Sequence, residues 1–286
     1  MRKTTDDPGR AFTLIELLVV VAIVALLVSL IVPALGSAKA QAKKTVCASN
    51  LRQLAVGAIM YATDGRGAMP PCSWWSRGVT AYWWGQVKVE TNQVDHTVSP
   101  IYKYLRTGLG EDSVFECPEQ PWGTYRPQPM DLKEQVTSTY GYNGYYLTPA
   151  ATTGWWHQIR DRPWQKLESI QMPGLVFMFA DALIVDPNNP TGLPANIALL
   201  DPPYIYSGNG GMFRATLGSA SVSDVWEENG FPTTSFRHRG QTNAASCDGH
   251  VESYDLEGGK MTSPKHMIGS VGVNNGPHYV PDWRDW

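Results

Sequence analysis

Three residues near the C-terminus carry side chains suited to chemistry: His238, Asp248 and His250. Two imidazoles and a carboxylate are acceptable transition-metal ligands. Asp248 and His250, two apart, share a face if their segment is a strand. The plainer reading, adopted here, is a hairpin. Asp248-Gly249 forms its turn, and His238 satisfies the aspartate or a backbone carbonyl. No nucleophile elbow, His-Glu-x-x-His pair or phosphate loop occurs in the chain. No catalytic residue and no metal ligand set is therefore assigned, and the chain reads as a non-enzyme. Asp64, Asp181 and Asp248 offer oxygens to Ca²⁺, but not at the spacing of an EF-hand. No cofactor is expected, with calcium the one ion to consider. Four cysteines, Cys47, Cys72, Cys117 and Cys247, allow three pairings or four buried free thiols. The Trp-Trp pairs at 74–75, 83–84 and 155–156 offer flat faces for sugar stacking, or material for a core.

Glu16 stands out for its surroundings. From Leu17 to Val32 only Ser29 is polar, and between Phe12 and Leu35 the apolar run is broken by Thr13, Glu16, Ser29 and Pro33. A bilayer core takes about 20 helical residues, so one span fits. No second run of that length follows. A secretory leader would be shorter and end at a small-residue cleavage site. A carboxylate inside a span costs roughly 2.5–3.5 kcal/mol on insertion scales and needs a partner. The preceding leader holds Arg2, Lys3 and Arg10 against Asp6 and Asp7, which favours a cytoplasmic N-terminus.

The elements that must position these residues follow from periodicity. Pro33 removes a backbone hydrogen bond and is expected to interrupt the helix. Beyond it Val46, Leu51, Leu54, Ala55, Ala58, Ile59 and Ala62 recur mostly three or four apart, which predicts a helix with one face on a head domain. Asp64-Gly65 should stop it, with Gly65 in a left-handed cap. The helix Phe12–Thr63 would be about 78 Å long at 1.5 Å per residue. In the remainder, 64–286, Thr97–Leu105 reads as a short helix and Trp164–Ser169 as a helical turn. Strands are predicted at Tyr140–Leu147, Leu175–Ala180, Thr234–His238 and Asn243–Tyr254. Loops fall at Pro187–Pro190 and Ser207–Gly211. The expected fold class is α+β: a long N-terminal helix, transmembrane over about 12–35 and then amphipathic, packed on a small antiparallel sheet with long loops. Across all 286 residues, 43% are hydrophobic, 17% are charged and the net charge is −3. Such a chain can bury a core, and nothing in it favours nucleic acid.

The segment Arg10-Ala11-Phe12-Thr13-Leu14-Ile15-Glu16-Leu17-Leu18 resembles the leader of type IV prepilins and type II secretion pseudopilins. The resemblance implies a pilin-like fold. It also implies a prepilin peptidase that cuts on the cytoplasmic side between Ala11 and Phe12 and then N-methylates Phe12. Residues 1–11 become the leader peptide, 12–63 the long helix and 64–286 a periplasmic head. Glu16 becomes the fifth mature residue, where the family carries a glutamate that neutralises the Phe12 ammonium of a neighbouring subunit. The family usually has Gly before the cut, and Ala11 departs from that. Pilins of this kind often carry a proline where Pro33 stands and bend or melt there on assembly. Other pseudopilin subunits and an inner-membrane secretion platform are the implied partners.

Short motifs downstream resemble one subfamily, prepilin-like proteins of the Planctomycetes, Verrucomicrobia and Lentisphaerae assemblage with a C-terminal H-x9-D-G motif. They are Cys47–Leu54, Tyr61–Pro71, Cys117-Pro118, Tyr140–Asn143, the Pro173-Gly174 to Asp181 segment, and His238 with Asp248-Gly249. On this resemblance Cys47 and Cys117, both inside such motifs, are the expected disulfide. The function implied is that of a pseudopilin subunit of a secretion or pilus-like filament. The competing function is a single-pass anchored periplasmic protein that binds polysaccharide.

Overall fold

The computed structural model describes residues 13–76, 79–88, 93–108, 113–120, 138–148, 164–185, 194–207, 225–256, 258–259 and 261–281. Helix α1 runs from Leu14 to Asp64 and continues through Pro33, which does not end it. The chain divides between Ala42 and Lys43 into two compact units. In the first, every described residue from Thr13 to Lys39 is exposed, including Leu14, Leu18, Leu30 and Leu35. This stretch belongs to the one described helix long and apolar enough to cross a membrane. The expected leader, residues 1–11, lies outside the described residues, as does Phe12.

In the second unit α1 buries Cys47, Asn50, Leu51, Leu54, Ala55, Gly57, Ala58 and Ala62, a stripe at helical spacing. Its small residues let other elements come close. A Cβ on Gly57 would stand 3.1 Å from Leu105 Cδ2. The helix stops later than expected. The Gly65 amide still bonds Tyr61 O at 2.8 Å, and the left-handed backbone falls on Arg66 and Gly67 instead, at φ 57° and 87°. The Gly67 amide then closes on Ala62 O at 2.7 Å, satisfying a last-turn carbonyl.

After α1 the elements are β1 (Ser73–Ser76), β2 (Val79–Tyr82), β3 (Gly85–Lys88), β4 (Gln93–Asp95), α2 (Tyr102–Leu105), β5 (Tyr140–Tyr142), α3 (Gly144–Leu147), β6 (Phe177–Asp181), β7 (Ile184–Val185), β8 (Pro194–Ala195), β9 (Tyr204–Ser207), β10 (Val225–Glu228), β11 (Thr234–Ser235), β12 (Gln241–Ser246), β13 (Val251–Asp255), β14 (Met261–Ser263) and β15 (Ile268–Gly269). β1–β4 form one antiparallel meander, and the sheet that matters most has the order β13-β12-β6-β5, all antiparallel. The fold is thus α+β, one long helix with several small antiparallel sheets.

Two predicted strands are shorter than expected. The run Tyr140–Leu147 leaves the sheet after Tyr142 and turns into α3. There the buried Asn143 side chain donates to Phe177 O and Tyr279 O, at 2.9 and 2.8 Å, in place of a strand ladder. The run Thr234–His238 ends at Ser235, and His238 sits in a bridge with Gln241. The Asn243–Tyr254 strand is a hairpin, β12 and β13, with the turn at Asp248-Gly249 as expected.

Beneath the sheet, Leu51, Leu54 and Ala58 of α1 share a buried cluster with Trp83, Phe115, Tyr142 and Phe179. Trp83 lies 4.9 Å from the Phe179 ring and donates its Nε1–H to Ala198 O at 2.8 Å. Trp84 is 1% exposed and its neighbour Trp83 is 0% exposed, so this pair is core and offers no face to a sugar. The pair at 155–156 lies outside the described residues.

Candidate functional site

Two places hold functional chemistry. The first is the start of α1. Thr13 and Glu16 form a reciprocal cap: the Glu16 amide donates to Thr13 Oγ1 at 3.2 Å, while the Thr13 amide and hydroxyl both donate to Glu16 Oε2 at 2.9 Å. This is the Thr-x-x-Glu capping box, a signal present in the local sequence Thr13-Leu14-Ile15-Glu16. Among the described residues no cation pairs with Glu16. Ala11 and Phe12, the expected processing residues, lie outside the described residues.

The second place is a buried cluster that sequence reading missed. Cys47 on α1, Cys117 in the loop before β5, Asp181 at the end of β6 and His238 before β12 bring one ligand atom each to within 4.8 Å of one another. Cys117 Sγ and Asp181 Oδ2 each lie 3.3 Å from His238 Nε2, and Cys47 Sγ lies 3.4 Å from Asp181 Oδ1. The Asn243 amide donates to Asp181 Oδ2 at 3.0 Å. Arg237 stands behind, its Nε 3.8 Å from Asp181 Oδ1 and its guanidinium held by Ala182 O, Thr139 O and Gln120 Oε1.

The electrostatics follow from that packing. Burial alone would raise Asp181, but the His238 hydrogen bond and the Arg237 charge bring its carboxyl below the usual range. Burial opposes a charge on His238 too, yet hydrogen bonds to Asp181 and Cys117 raise it to about 9. Cys47, desolvated and beside Cys117, is pushed well above the usual thiol range. Cys117 falls below that range, because bonds from Cys47 and His238 outweigh its burial.

The expected sites separate otherwise. His238 does not meet Asp248 or His250: Asp248 is half-exposed in the hairpin turn and takes His250 Nδ1 at 2.7 Å. The two ends of the H-x9-D-G motif thus serve different places, one the core and one the surface. The three aspartates considered for calcium are also apart in their partnerships. Asp64 pairs with Lys103 at 3.0 Å and Tyr104 at 2.8 Å, Asp181 sits in the buried cluster and Asp248 holds His250. All four cysteines are buried free thiols, so the Cys47–Cys117 pairing appears as proximity and not as a bond.

Residues 9–32 match the family described as the prokaryotic N-terminal methylation motif. No curated protein and no solved structure matches the chain. The match marks the N-terminal segment as that of a type IV prepilin-like protein. It implies processing by a prepilin peptidase and assembly with other pilin-type subunits. Together with the apolar helix, it is consistent with membrane anchoring.

Proposed function

We propose that the chain is a pseudopilin, a non-enzymatic subunit of a type II secretion-like or type IV pilus-like filament. It waits in the inner membrane with its N-terminus cytoplasmic and its head periplasmic. The peptidase cuts between Ala11 and Phe12 and methylates Phe12. Mature subunits then stack by their apolar helices on a secretion platform. The observation that carries this reading is Glu16. Among the described residues it is a carboxylate capped only by Thr13, at the head of an apolar stretch whose described side chains are exposed, inside a methylation motif. A Phe12 ammonium from a neighbouring subunit is the partner such a group lacks, and the pair offsets two burial costs together.

N-terminal mass spectrometry of the protein from membranes tests it. N-methyl-Phe12 is the expected terminus, and Met1 or a cut beyond Leu35 would refute the reading. A topology reporter fused at Trp286 should be active only outside the cytoplasm.

A further inference from the structure

We infer that Cys47, Cys117, Asp181 and His238 form a structural metal centre for a divalent ion of the zinc type, independent of how the chain assembles. Four donors of two sulfurs, one nitrogen and one oxygen converge from four segments separated by 70, 64 and 57 residues. With metal–sulfur bonds of about 2.3 Å and metal–nitrogen or –oxygen bonds of about 2.0–2.1 Å, the edges of a tetrahedron measure about 3.3–3.8 Å. Taken through one carboxylate oxygen, Asp181 Oδ2 lies 3.3 Å from His238 Nε2 and 3.7 Å from Cys47 Sγ, and Cys117 Sγ lies 3.3 Å from His238 Nε2, all at about the length of such edges.

The His238–Asp181 separation is long for a direct charge-assisted N–H···O bond, which closes to about 2.7–2.9 Å. The surface pair in this same molecule, His250 and Asp248, does close to 2.7 Å. A thiol–imidazole–carboxylate catalytic relay is the competing arrangement. It needs the carboxylate on one ring nitrogen and the sulfur on the other. Here both Cys117 and Asp181 approach the same atom, His238 Nε2, in a site with no exposed member.

The charges also close. Two thiolates and one carboxylate against a dication leave one negative charge, and the Arg237 guanidinium beside Asp181 supplies one positive. Binding displaces the protons held on the sulfurs and on His238 Nε2, leaving thiolates and a neutral imidazole, the states metal ligands require. One outer contact is in place, the Asn243 N–H on Asp181 Oδ2, while the second ring nitrogen, His238 Nδ1, is buried without a partner among the described residues. Two thiolates with imidazole and carboxylate at tetrahedral edges suit Zn²⁺ better than oxygen-seeking Ca²⁺ or Mg²⁺. The ion would fasten α1 to β6 and to the loops holding Cys117 and His238.

The test uses the full chain in detergent, purified without oxidant or chelator. Elemental analysis should find about one zinc per chain. Co²⁺ added to chelator-stripped protein should give intense tetrahedral visible bands with thiolate-to-cobalt charge transfer. Cys117→Ser and His238→Ala should each lower bound zinc at least tenfold, while Cys247→Ser, a buried thiol outside the cluster, keeps it. Should the cluster variants fail to fold, the wild-type cobalt spectrum decides alone. No zinc with no tetrahedral cobalt spectrum, or a Cys47–Cys117 disulfide in protein from cells, would overturn the assignment.

Discussion

Glu16 and Asp181 are both carboxylates set among apolar neighbours, one at the start of α1 and one inside the head. Asp181 has what a buried charge needs within its own chain: Arg237, His238 and the Asn243 amide. Among the described residues Glu16 has only Thr13, one turn away. Asp181 is compensated within its own chain, and Glu16 meets no cation among the described residues. The difference separates what one subunit can do alone from what requires another molecule.

The sharpest way to break the comparison is Glu16→Gln against Glu16→Ala. Gln keeps the capping box and removes only the charge. Both variants are expected to insert in the membrane but fail to yield sheared filaments. Removing one member of a buried pair costs about 3–5 kcal/mol, here repeated at every subunit. Normal filament recovery from the Gln variant would reduce Glu16 to a helix cap.

Next is Asp181→Ala, which leaves Arg237 and His238 without their carboxylate. Unfolding of the full chain in detergent should shift by about 3–5 kcal/mol. A shift under about 1 kcal/mol, the range of exposed pairs, would erase the contrast between core and surface.

Asp201 sharpens it from the other side. Also buried but with no cation beside it among the described residues, it is raised by desolvation to about 7. A carboxyl raised on folding holds its proton more tightly in the folded state. Its stabilisation is present below the unfolded carboxyl range and is lost as pH rises towards 7. Stability should therefore fall by at most about 1.4 kcal/mol per pH unit from about pH 4 to 7. Asp201→Asn should flatten that slope in unfolding measured across pH. The smallest effect is expected from Asp248→Asn, which removes a half-exposed pair with His250 and should change stability by less than about 1 kcal/mol in the same assay.

What the sequence made legible was local. Helical spacing located α1 and the face it buries, and Asp248-Gly249 announced its hairpin. The Thr13–Glu16 cap was equally local, but the apolar run around it drew attention to membrane cost. Tyr140–Leu147 misled because alternation says nothing of Asn143, whose side chain takes over two carbonyls. Trp83 could be placed inside only with Phe179 and Ala198 beside it, and Trp84 only with its ring stacked on Tyr82. The thiol–imidazole–carboxylate cluster was the least visible. Its members are separated by 57 residues or more, and only the pairing of β6 with β12 and the packing of α1 join them.

Pro33 leaves one gap in an otherwise continuous ladder, because the carbonyl of Ser29 finds no N–H four residues on. Ser29 itself spends its hydroxyl on Leu26 O at 2.7 Å. Under axial load the helix has its least resistance there. Unwinding the three residues between Ser29 and Pro33 would lengthen it by about 5 Å, from 1.5 Å to about 3.3 Å each. Were subunits stacked in a fibre as proposed above, the gap would be a compliant element in series, giving under tension before the rest of the helix.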